Sequence, residues 1–259
     1  MKSQGVPVDV PWRRVINGRY AWLIRPNLTQ EDMANLSEGV WQPRDFIKRP
    51  DDRSSSAVFK VATFAAKRYR GRTFQDRIKA ILRGPRAHRA LDWATRLKEL
   101  GILTIRPAAV ASARWRPWES CLASDYIESR CTVHQCVDAL PSSLQRRWVI
   151  KALADAMARL HNADISHGDA HLANFIVDRV SPPRLVLVDL DALRRRKMSI
   201  SAAANDLKRL LDYAPGSQIE HLRFLITYAH RRQPRIRARE LLPHLQAQRR
   251  GPGPLRDAP

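Results

Sequence analysis

The sequence predicts an α+β fold with two lobes, a small β-rich N-terminal lobe and a mainly helical C-terminal lobe. Short apolar runs separated by polar turns fill much of residues 45–127, whereas apolar residues recur at helical spacing after about residue 128. The chain has 259 residues and 44% of them are hydrophobic, which is enough for a sizeable core. We divide it into an N-terminal extension at 1–44, an N-lobe at 45–127, a C-lobe at 128–245 and a flexible tail at 246–259.

The N-lobe is expected to contain short strands and one helix. Strands are predicted at Phe46–Lys48, Ala57–Val61, Phe64–Tyr69 and Cys121–Ile127, with one more at Tyr20–Ile24 in the extension. The segment Arg114–Trp118 is expected to be a loop between strands. A helix is predicted where apolar residues repeat every three positions from Leu91 to Leu100, and Gly101 follows as its C-terminal cap.

The C-lobe begins with the clearest helical pattern in the chain. Apolar residues recur at helical spacing from Leu144 to Leu160, and Ser142 with Gln145 supplies the pattern of a capping box. Two apolar runs, Phe175–Val177 and Leu185–Val188, are separated by a Ser-Pro-Pro turn and are expected to form a hairpin. Helical patterns return from Ser201.

The charge is strongly basic. There are 46 Lys and Arg against 25 Asp and Glu, a net charge of +21, so an acidic partner is expected. Nucleic acid, an anionic membrane leaflet and a phosphorylated substrate all meet that requirement, and charge alone does not choose among them. Because the sequence lacks a signal peptide and any long apolar run, we expect a cytoplasmic protein, dissolved or resting on a membrane surface.

The cysteines also favour a cytoplasmic protein. The 3 cysteines are an odd number without the paired spacing of a zinc site. We therefore expect neither a disulfide framework nor bound zinc, and a reducing compartment is the simpler interpretation.

The residues that carry chemistry lie between the predicted helix and the end of the predicted hairpin. His167-Gly168-Asp169 is followed by Asn174, and the hairpin leads to Asp189-Leu190-Asp191. In phosphoryl transfer from a nucleotide, one carboxylate accepts the proton of the attacking hydroxyl, while an amide oxygen and a second carboxylate hold Mg²⁺ against the phosphates. The three groups present here match those roles.

This segment resembles the catalytic core of the protein-kinase-like superfamily, with His-Gly-Asp in place of His-Arg-Asp and Asp-Leu-Asp in place of Asp-Phe-Gly. Within the superfamily the chain is most similar to the lipopolysaccharide core kinases, which phosphorylate Kdo or heptose in the inner core. The resemblance covers about residues 45–212. It rests on the segments Ala66–Tyr69, Leu100–Ile102, Arg106-Pro107, Ser124–Ile127, His161–Val177, Val188–Asp191 and Asn205–Leu207.

The resemblance implies a bilobal protein-kinase-like fold, with the site in a cleft between the lobes, and a role for each matching residue. Asp169 looks like the catalytic base, and Asn174 and Asp189 look like the metal ligands. Lys67 looks like the lysine that binds the α- and β-phosphates, with Lys60 as the alternative. The backbone of Asp125, Tyr126 and Ile127 looks like the hinge that receives adenine. ATP and Mg²⁺ are the implied cofactors.

Several neighbouring residues have secondary roles in this interpretation. His167 is expected to brace the loop through hydrogen bonds, and Asp206 to support the loop from a later helix. His171 is expected either to orient substrate or to bond to the backbone. Asp191 is expected to join the metal site or to pair with the arginines at 194–196.

Two departures from the protein-kinase pattern lie in the N-lobe. The glycine-rich loop is missing, because no glycine occurs between Gly39 and Gly71, and Asp51–Ser56 takes its place. The position where many relatives keep a helix glutamate falls at Ala90, so Asp92 is the nearest candidate partner for Lys67.

The expected function is transfer of the γ-phosphate of ATP to a sugar hydroxyl of the lipopolysaccharide inner core, Kdo or heptose. The expected partners are an anionic glycolipid substrate and the inner-leaflet membrane surface, with nucleic acid disfavoured. Two alternatives stay open. One is a kinase for another small molecule or for protein serine. The other is a catalytically silent pseudokinase that binds RNA or membrane through its basic surface.

Overall fold

The computed structural model describes residues 11–49, 55–128, 131–140, 143–180, 182–212 and 217–247. The chain forms two compact units. The first runs to Arg96 and includes Ile105–Ile127, and the second joins Leu97–Thr104 to the chain from Glu128 onward. The change of unit after Ile127 falls where the sequence changes from strand to helical patterns.

In the described residues, the first unit is built on one antiparallel sheet of seven strands, in the order β1-β2-β6-β7-β5-β4-β3. The strands are β1 (Arg13–Asn17), β2 (Tyr20–Ile24), β3 (Asp45–Lys48), β4 (Ser56–Val61), β5 (Phe64–Arg70), β6 (Pro107–Ala113) and β7 (Arg116–Asp125). The strands that the sequence predicts at Tyr20–Ile24 and in the β3-β4-β5 meander are confirmed. The predicted loop at Arg114–Trp118 is shorter than expected, because β7 already begins at Arg116.

One face of this sheet forms the core of the unit. Alternate residues of β2 and β4 point to it, including Trp22 and Phe59, because successive side chains in a strand face opposite sides. Helix α1 (Gln30–Gly39) covers the face with Leu36, and the ring of Trp41 stacks on that of Tyr20 with centroids 3.8 Å apart. The described part of the predicted extension therefore belongs to the first unit.

Two helices follow β5, whereas the sequence analysis expected one. Helix α2 (Phe74–Arg83) begins at a capping box formed by Thr73 and Asp76. Helix α3 (Arg86–Glu99) is the predicted helix, and it ends as predicted at Gly101, whose φ is 66°. The amides of Gly101 and Ile102 donate to the carbonyls of Lys98 and Leu97 at 3.0 and 2.8 Å, which is a Schellman cap.

The second unit is mainly helical. Its helices are α4 (Val133–Ala139), α5 (Ser143–Asn162), α6 (Ile200–Asp212), α7 (Gln218–Arg231) and α8 (Ala238–Ala247). Its strands are β8 (Ile165–Ser166), β9 (Phe175–Val180), β10 (Pro183–Leu187) and β11 (Arg194–Arg195), with a 3₁₀ turn at Leu172–Asn174. The predicted hairpin is confirmed as the antiparallel pair of β9 and β10. Helix α5 packs against α7 and buries Val149, Leu153, Met157 and Leu160.

The cysteines differ from the sequence-based expectation. Cys131 and Cys136 are joined by a disulfide, with their Cα atoms 5.5 Å apart. Residue spacing did not indicate this pair. The two residues become neighbours because Cys131 precedes the N-cap of α4 and Cys136 lies within that helix. Cys121 is buried, and burial raises the pKa of its thiol, so it stays protonated.

Some sequence predictions fall outside the described residues. They include most of the segment Asp51–Ser56 that stands in place of a glycine loop, the Ser142 cap of α5, and the tail from residue 248 onward. Within the described residues, no helix combines the length and the apolar character that a membrane crossing needs.

Candidate active site

The loop that carries Asp169 is fixed at its base by a buried carboxylate. Asp206 of α6 accepts hydrogen bonds from the Ser166 hydroxyl at 2.9 Å and from the amides of His167 and Gly168 at 2.6 and 3.2 Å. Charge-assisted bonds of this kind are among the stronger ones in proteins. The carboxylate therefore sets the backbone conformation immediately before Asp169, which confirms the supporting role expected of Asp206.

Two further buried side chains complete this network. Nε2 of His161 lies 3.4 Å from Oδ2 of Asp206, and Nδ1 lies 2.6 Å from the Tyr228 hydroxyl. Burial lowers the pKa of His161, so the ring is neutral at pH 7. Burial alone would raise the pKa of Asp206, but His161, Ser166 and the His167 amide outweigh it, and the pKa lies below its usual value. The carboxylate thus stays ionised although it is buried.

Gly168 is required where it stands. Its φ of +73° is in the left-handed region, and a Cβ atom here would lie 2.6 Å from the carbonyl oxygen of Ala192. Because the obstacle is a backbone atom, it has no rotamer by which to move away. An arginine, as in His-Arg-Asp, does not fit this loop conformation.

We expect Gly168→Ala to reduce the free energy of unfolding by about 2–3 kcal/mol and to impair activity, since the strain falls next to Asp169. Gly18→Ala is the matched control, because Gly18 also has a positive φ of +57° but open space around its Cα. The control should cost only about 1–2 kcal/mol. Urea unfolding measures both, and equal losses in the two variants would show that the Ala192 contact is unimportant.

Asp169 projects from this loop toward solvent. Its side chain is 49% exposed, and Oδ1 lies 2.9 Å from Nε2 of His171. Arg209 of α6 also approaches, with a guanidinium nitrogen 3.9 Å from the same oxygen and a hydrogen bond to the carbonyl of Gly168. His171 is therefore positioned to orient the carboxylate, a role that the sequence analysis did not name. Arg209 was not identified from the sequence.

Hydrogen bonds link the segments that carry Asn174 and Asp189 to the segment that carries Asp169. The side-chain Nδ2 of Asn174 donates to the carbonyl of Asp169 at 2.8 Å, and the amide of Val188 donates to the carbonyl of Asn174 at 3.0 Å. An Asp189 oxygen accepts from the Asp191 amide at 3.3 Å. The three predicted residues therefore lie on adjoining segments of the second unit.

The donor set fits a magnesium ion bound together with phosphates. The bond to Asp169 uses the nitrogen of the Asn174 amide, so the amide oxygen and the Asp189 carboxylate are the groups that would act as ligands. Magnesium is usually held by one or two such protein oxygens plus substrate phosphates and water, not by a full protein cage. The described residues contain no cluster of three or more His, Cys, Asp or Glu side chains able to hold a metal.

His167 braces the loop through a main-chain hydrogen bond and not through its ring nitrogens. Its ring is fully buried, and within the described residues neither ring nitrogen has a hydrogen-bond partner. Burial lowers the pKa of His167, outweighing the carboxylates of Asp206, Asp189 and Asp169. The residue supports the loop through its main-chain amide and through packing of its ring near that of Phe175, with centroids 5.9 Å apart.

In the first unit, Lys67 and Lys60 lie on the sheet face opposite the apolar core. Lys67 pairs across the strands with Val58, and Lys60 with Ala65, so both side chains leave the same face. The Nζ atom of Lys60 lies 4.6 Å from the ring centroid of Tyr126, and that of Lys67 lies 5.4 Å from the centroid of Tyr69. The strand geometry is therefore compatible with either lysine.

The hypothesis that Asp92 pairs with Lys67 is not supported. Asp92 is exposed, on the side of α3 away from the buried Ala87 and Ala90. Its charge acts on His88: burial lowers the pKa of His88, and the Asp92 carboxylate partly opposes that shift. An α3 residue that does approach β5 is a cation, since the Arg86 guanidinium lies 4.8 Å from the Tyr69 ring centroid.

The predicted hinge has part of its hydrogen-bonding capacity committed. The amide of Asp125 donates to Arg106, and that of Tyr126 to Thr63, both at 2.9 Å. The Asp125 side chain forms a bidentate pair with Arg25 at 2.8 and 3.0 Å. Adenine recognition here would therefore use backbone carbonyls or the Ile127 amide, and the Asp125 carboxylate has a structural role.

Comparison with known proteins yields one family and one fold. The model of the lipopolysaccharide kinase (Kdo/WaaP) family matches residues 46–228. A co-crystal structure of WbdD with the kinase inhibitor LY294002 superposes with a TM-score of 0.51 at 14% identity, covering 78% of this chain and 45% of that one. At this identity the likeness shows the kinase-like fold alone. No curated protein sequence matches the chain.

Proposed function

Since the chain belongs to the lipopolysaccharide kinase (Kdo/WaaP) family, we propose that it transfers the γ-phosphate of ATP to a sugar hydroxyl of the lipopolysaccharide inner core. The observation that carries the proposal is the loop around Asp169. A buried carboxylate fixes its backbone, and hydrogen bonds join it to the segments bearing Asn174 and Asp189. Such a loop has little purpose in a protein that only binds through its surface charge.

In the proposed reaction, the oxygen of the acceptor hydroxyl bonds to the γ-phosphorus, and the bond from phosphorus to the β–γ bridging oxygen breaks. Asp169 accepts the proton that the hydroxyl loses. His171, 2.9 Å away, holds the carboxylate in position. Asn174 and Asp189 are the residues that would hold Mg²⁺, which when bound neutralises charge on the phosphates. Because the acceptor hydroxyl is weakly acidic, it loses its proton to the base late in the reaction. Most of the rate acceleration therefore comes from positioning of the reactants.

The acceptor is proposed to be Kdo or heptose on an anionic glycolipid. The support is the family, together with a net charge of +21 that favours an anionic substrate and an anionic surface. The proposal places the protein at the cytoplasmic face of the inner membrane, where such an acceptor is accessible to a chain that works with ATP.

The test is to supply the purified chain with labelled ATP and Mg²⁺ and separate pools of dephosphorylated core glycolipid, soluble sugars and a generic protein. We expect label in the glycolipid pool, and a mass increase of one phosphate on an inner-core sugar. Label found only in the soluble sugars or only in the protein would show that the acceptor is not the core glycolipid. No transfer to any pool, with no Mg²⁺-dependent ATP binding, would favour the silent pseudokinase.

The choice between the two lysines is also testable. We expect Lys67→Ala to weaken binding of Mg²⁺·ATP at least about tenfold, because one direct phosphate contact is lost. Lys60→Ala, on the same face of the sheet, is the matched control and should have a smaller effect. Calorimetric titration with a non-hydrolysable ATP analogue measures both, and the reverse order of effects would assign the role to Lys60.

A further inference from the structure

Helix α2 is amphipathic in an unusual sense, because its large apolar side chains face solvent. The exposed fractions are 77% for Phe74, 39% for Ile78, 61% for Ile81 and 78% for Leu82. At 3.6 residues per turn these four positions fall within an arc of about 100° and form one continuous stripe. We call these four residues the α2 stripe.

The orientation of α2 is fixed by contacts on its other side. The small residue Ala80 is buried, and the amide of Gly71 just before the helix donates to the carbonyl of Trp118 at 3.0 Å. The Arg77 guanidinium covers the ring of Trp118, 5.4 Å from its centroid. A Cβ atom at Gly71 would lie 2.7 Å from that of Trp118, so the approach is close. The helix is therefore anchored to β7 with its apolar side outward.

Cations surround the α2 stripe. Exposed basic residues lie before the helix and along its polar side: Arg70, Arg72, Arg77, Lys79 and Arg83. The single acid in this stretch is Asp76, which forms the capping box with Thr73. An exposed apolar patch normally marks an interaction surface, and these flanking charges require an anionic partner.

We propose that the α2 stripe inserts into the interface of an anionic phospholipid bilayer, with the flanking cations on the phosphate headgroups. Helices that lie in a membrane interface have this composition, with Phe and Leu on one face and Lys and Arg on the other. The α2 stripe is convex, so it can enter a bilayer directly. A protein partner would need an acidic groove that matches its shape. Trp115, 81% exposed at the β6–β7 turn, belongs to the hairpin that anchors α2, and tryptophan favours membrane interfaces.

This surface would hold the first unit against a membrane. It goes beyond the proposed function and does not depend on phosphoryl transfer, since none of its residues belongs to the candidate active site. If both proposals hold, docking places the kinase on the surface that bears its glycolipid acceptor.

The experiment is flotation of the full chain with vesicles of phosphatidylcholine containing phosphatidylglycerol. We expect Phe74→Gln/Leu82→Gln to reduce vesicle binding at least about tenfold, because two large apolar side chains no longer enter the interface. Both positions are exposed and glutamine supports a helix, so the fold should be retained. The unmodified chain should bind pure phosphatidylcholine much more weakly.

A matched pair of single variants isolates the site. Ile81 in α2 and Ile219 in α7 are each 61% exposed, so Ile81→Gln should weaken binding and Ile219→Gln should not. Unchanged vesicle binding in the double variant would overturn the proposal, as would equal losses in the two single variants. Phosphorylation of a soluble, delipidated acceptor should be unaffected by the double variant, so failure of docking and failure of the kinase proposal are distinguishable.

Discussion

Replacement of Asp169 by alanine is expected to reduce phosphoryl transfer by roughly 10²–10⁴-fold, the usual contribution of a positioned general base. The loop should keep its conformation, because Asp206 holds the main chain on its N-terminal side and Asn174 bonds to the carbonyl of residue 169, not to its side chain. Nucleotide affinity should change little, so the loss should appear in kcat. Single-turnover transfer of labelled phosphate measures it.

Asp178→Ala is the control for this variant. Asp178 lies in β9 and its carboxylate pairs with Arg184 at 3.1 Å, away from the loop that bears Asp169. We expect the control to retain near-normal turnover, since a surface ion pair contributes little. Unchanged turnover in Asp169→Ala would remove the base assignment.

The largest effect on stability is expected at Asp206. Asp206→Ala leaves the buried Ser166 hydroxyl and His167 amide, and the half-buried Gly168 amide, without their acceptor. An unsatisfied buried group costs about 1–3 kcal/mol, and removal of one partner from a buried charged network costs about 3–5 kcal/mol. We expect a loss of about 3–5 kcal/mol in the free energy of unfolding. Thermal unfolding should show a decrease in Tm of about 10 °C for a chain of this size.

Asp212→Ala tests whether that loss is specific. Asp212 is an exposed residue of the same helix, paired with Lys208 at 3.8 Å, and its replacement should cost at most about 1 kcal/mol. A similar Tm for the Asp206 and Asp212 variants would contradict the role of Asp206 in holding the loop.

Elements that bury one face could be predicted from the sequence. Strand β2 alternates buried and half-buried residues, and α3 repeats its apolar positions, so both carry the pattern of the structure they form. Helix α2 was missed although Phe74, Ile78, Ile81 and Leu82 recur at helical spacing. Its capping box of Thr73 and Asp76 was a second available signal. What the sequence could not show is that this apolar face is exposed to solvent.

The candidate site shows the same division between local and distant information. Asp169 and Asn174 lie on one loop, so their spacing in the sequence was enough to predict them as site residues. Asp189 could be predicted because it comes at the end of a recognisable hairpin. His161, which contacts Asp206, and Tyr228, which bonds to His161, come from different helices, and no sequence pattern links them to Asp206. The exposure of Asp92 likewise depends on tertiary structure, whereas the Cys131–Cys136 pair depends on where α4 begins.

The most direct test of the account is the Mg²⁺ dependence of nucleotide binding, measured by calorimetric titration of a non-hydrolysable ATP analogue. The unmodified chain should bind in the presence of Mg²⁺ and bind much more weakly in its absence. Asp189→Ala should lose at least about tenfold in affinity with Mg²⁺ present, whereas Asp191→Ala should retain most of it. Binding that is indifferent to Mg²⁺ and to Asp189→Ala, or no nucleotide binding at all, would contradict the assignment of Asn174 and Asp189 as metal ligands of a kinase.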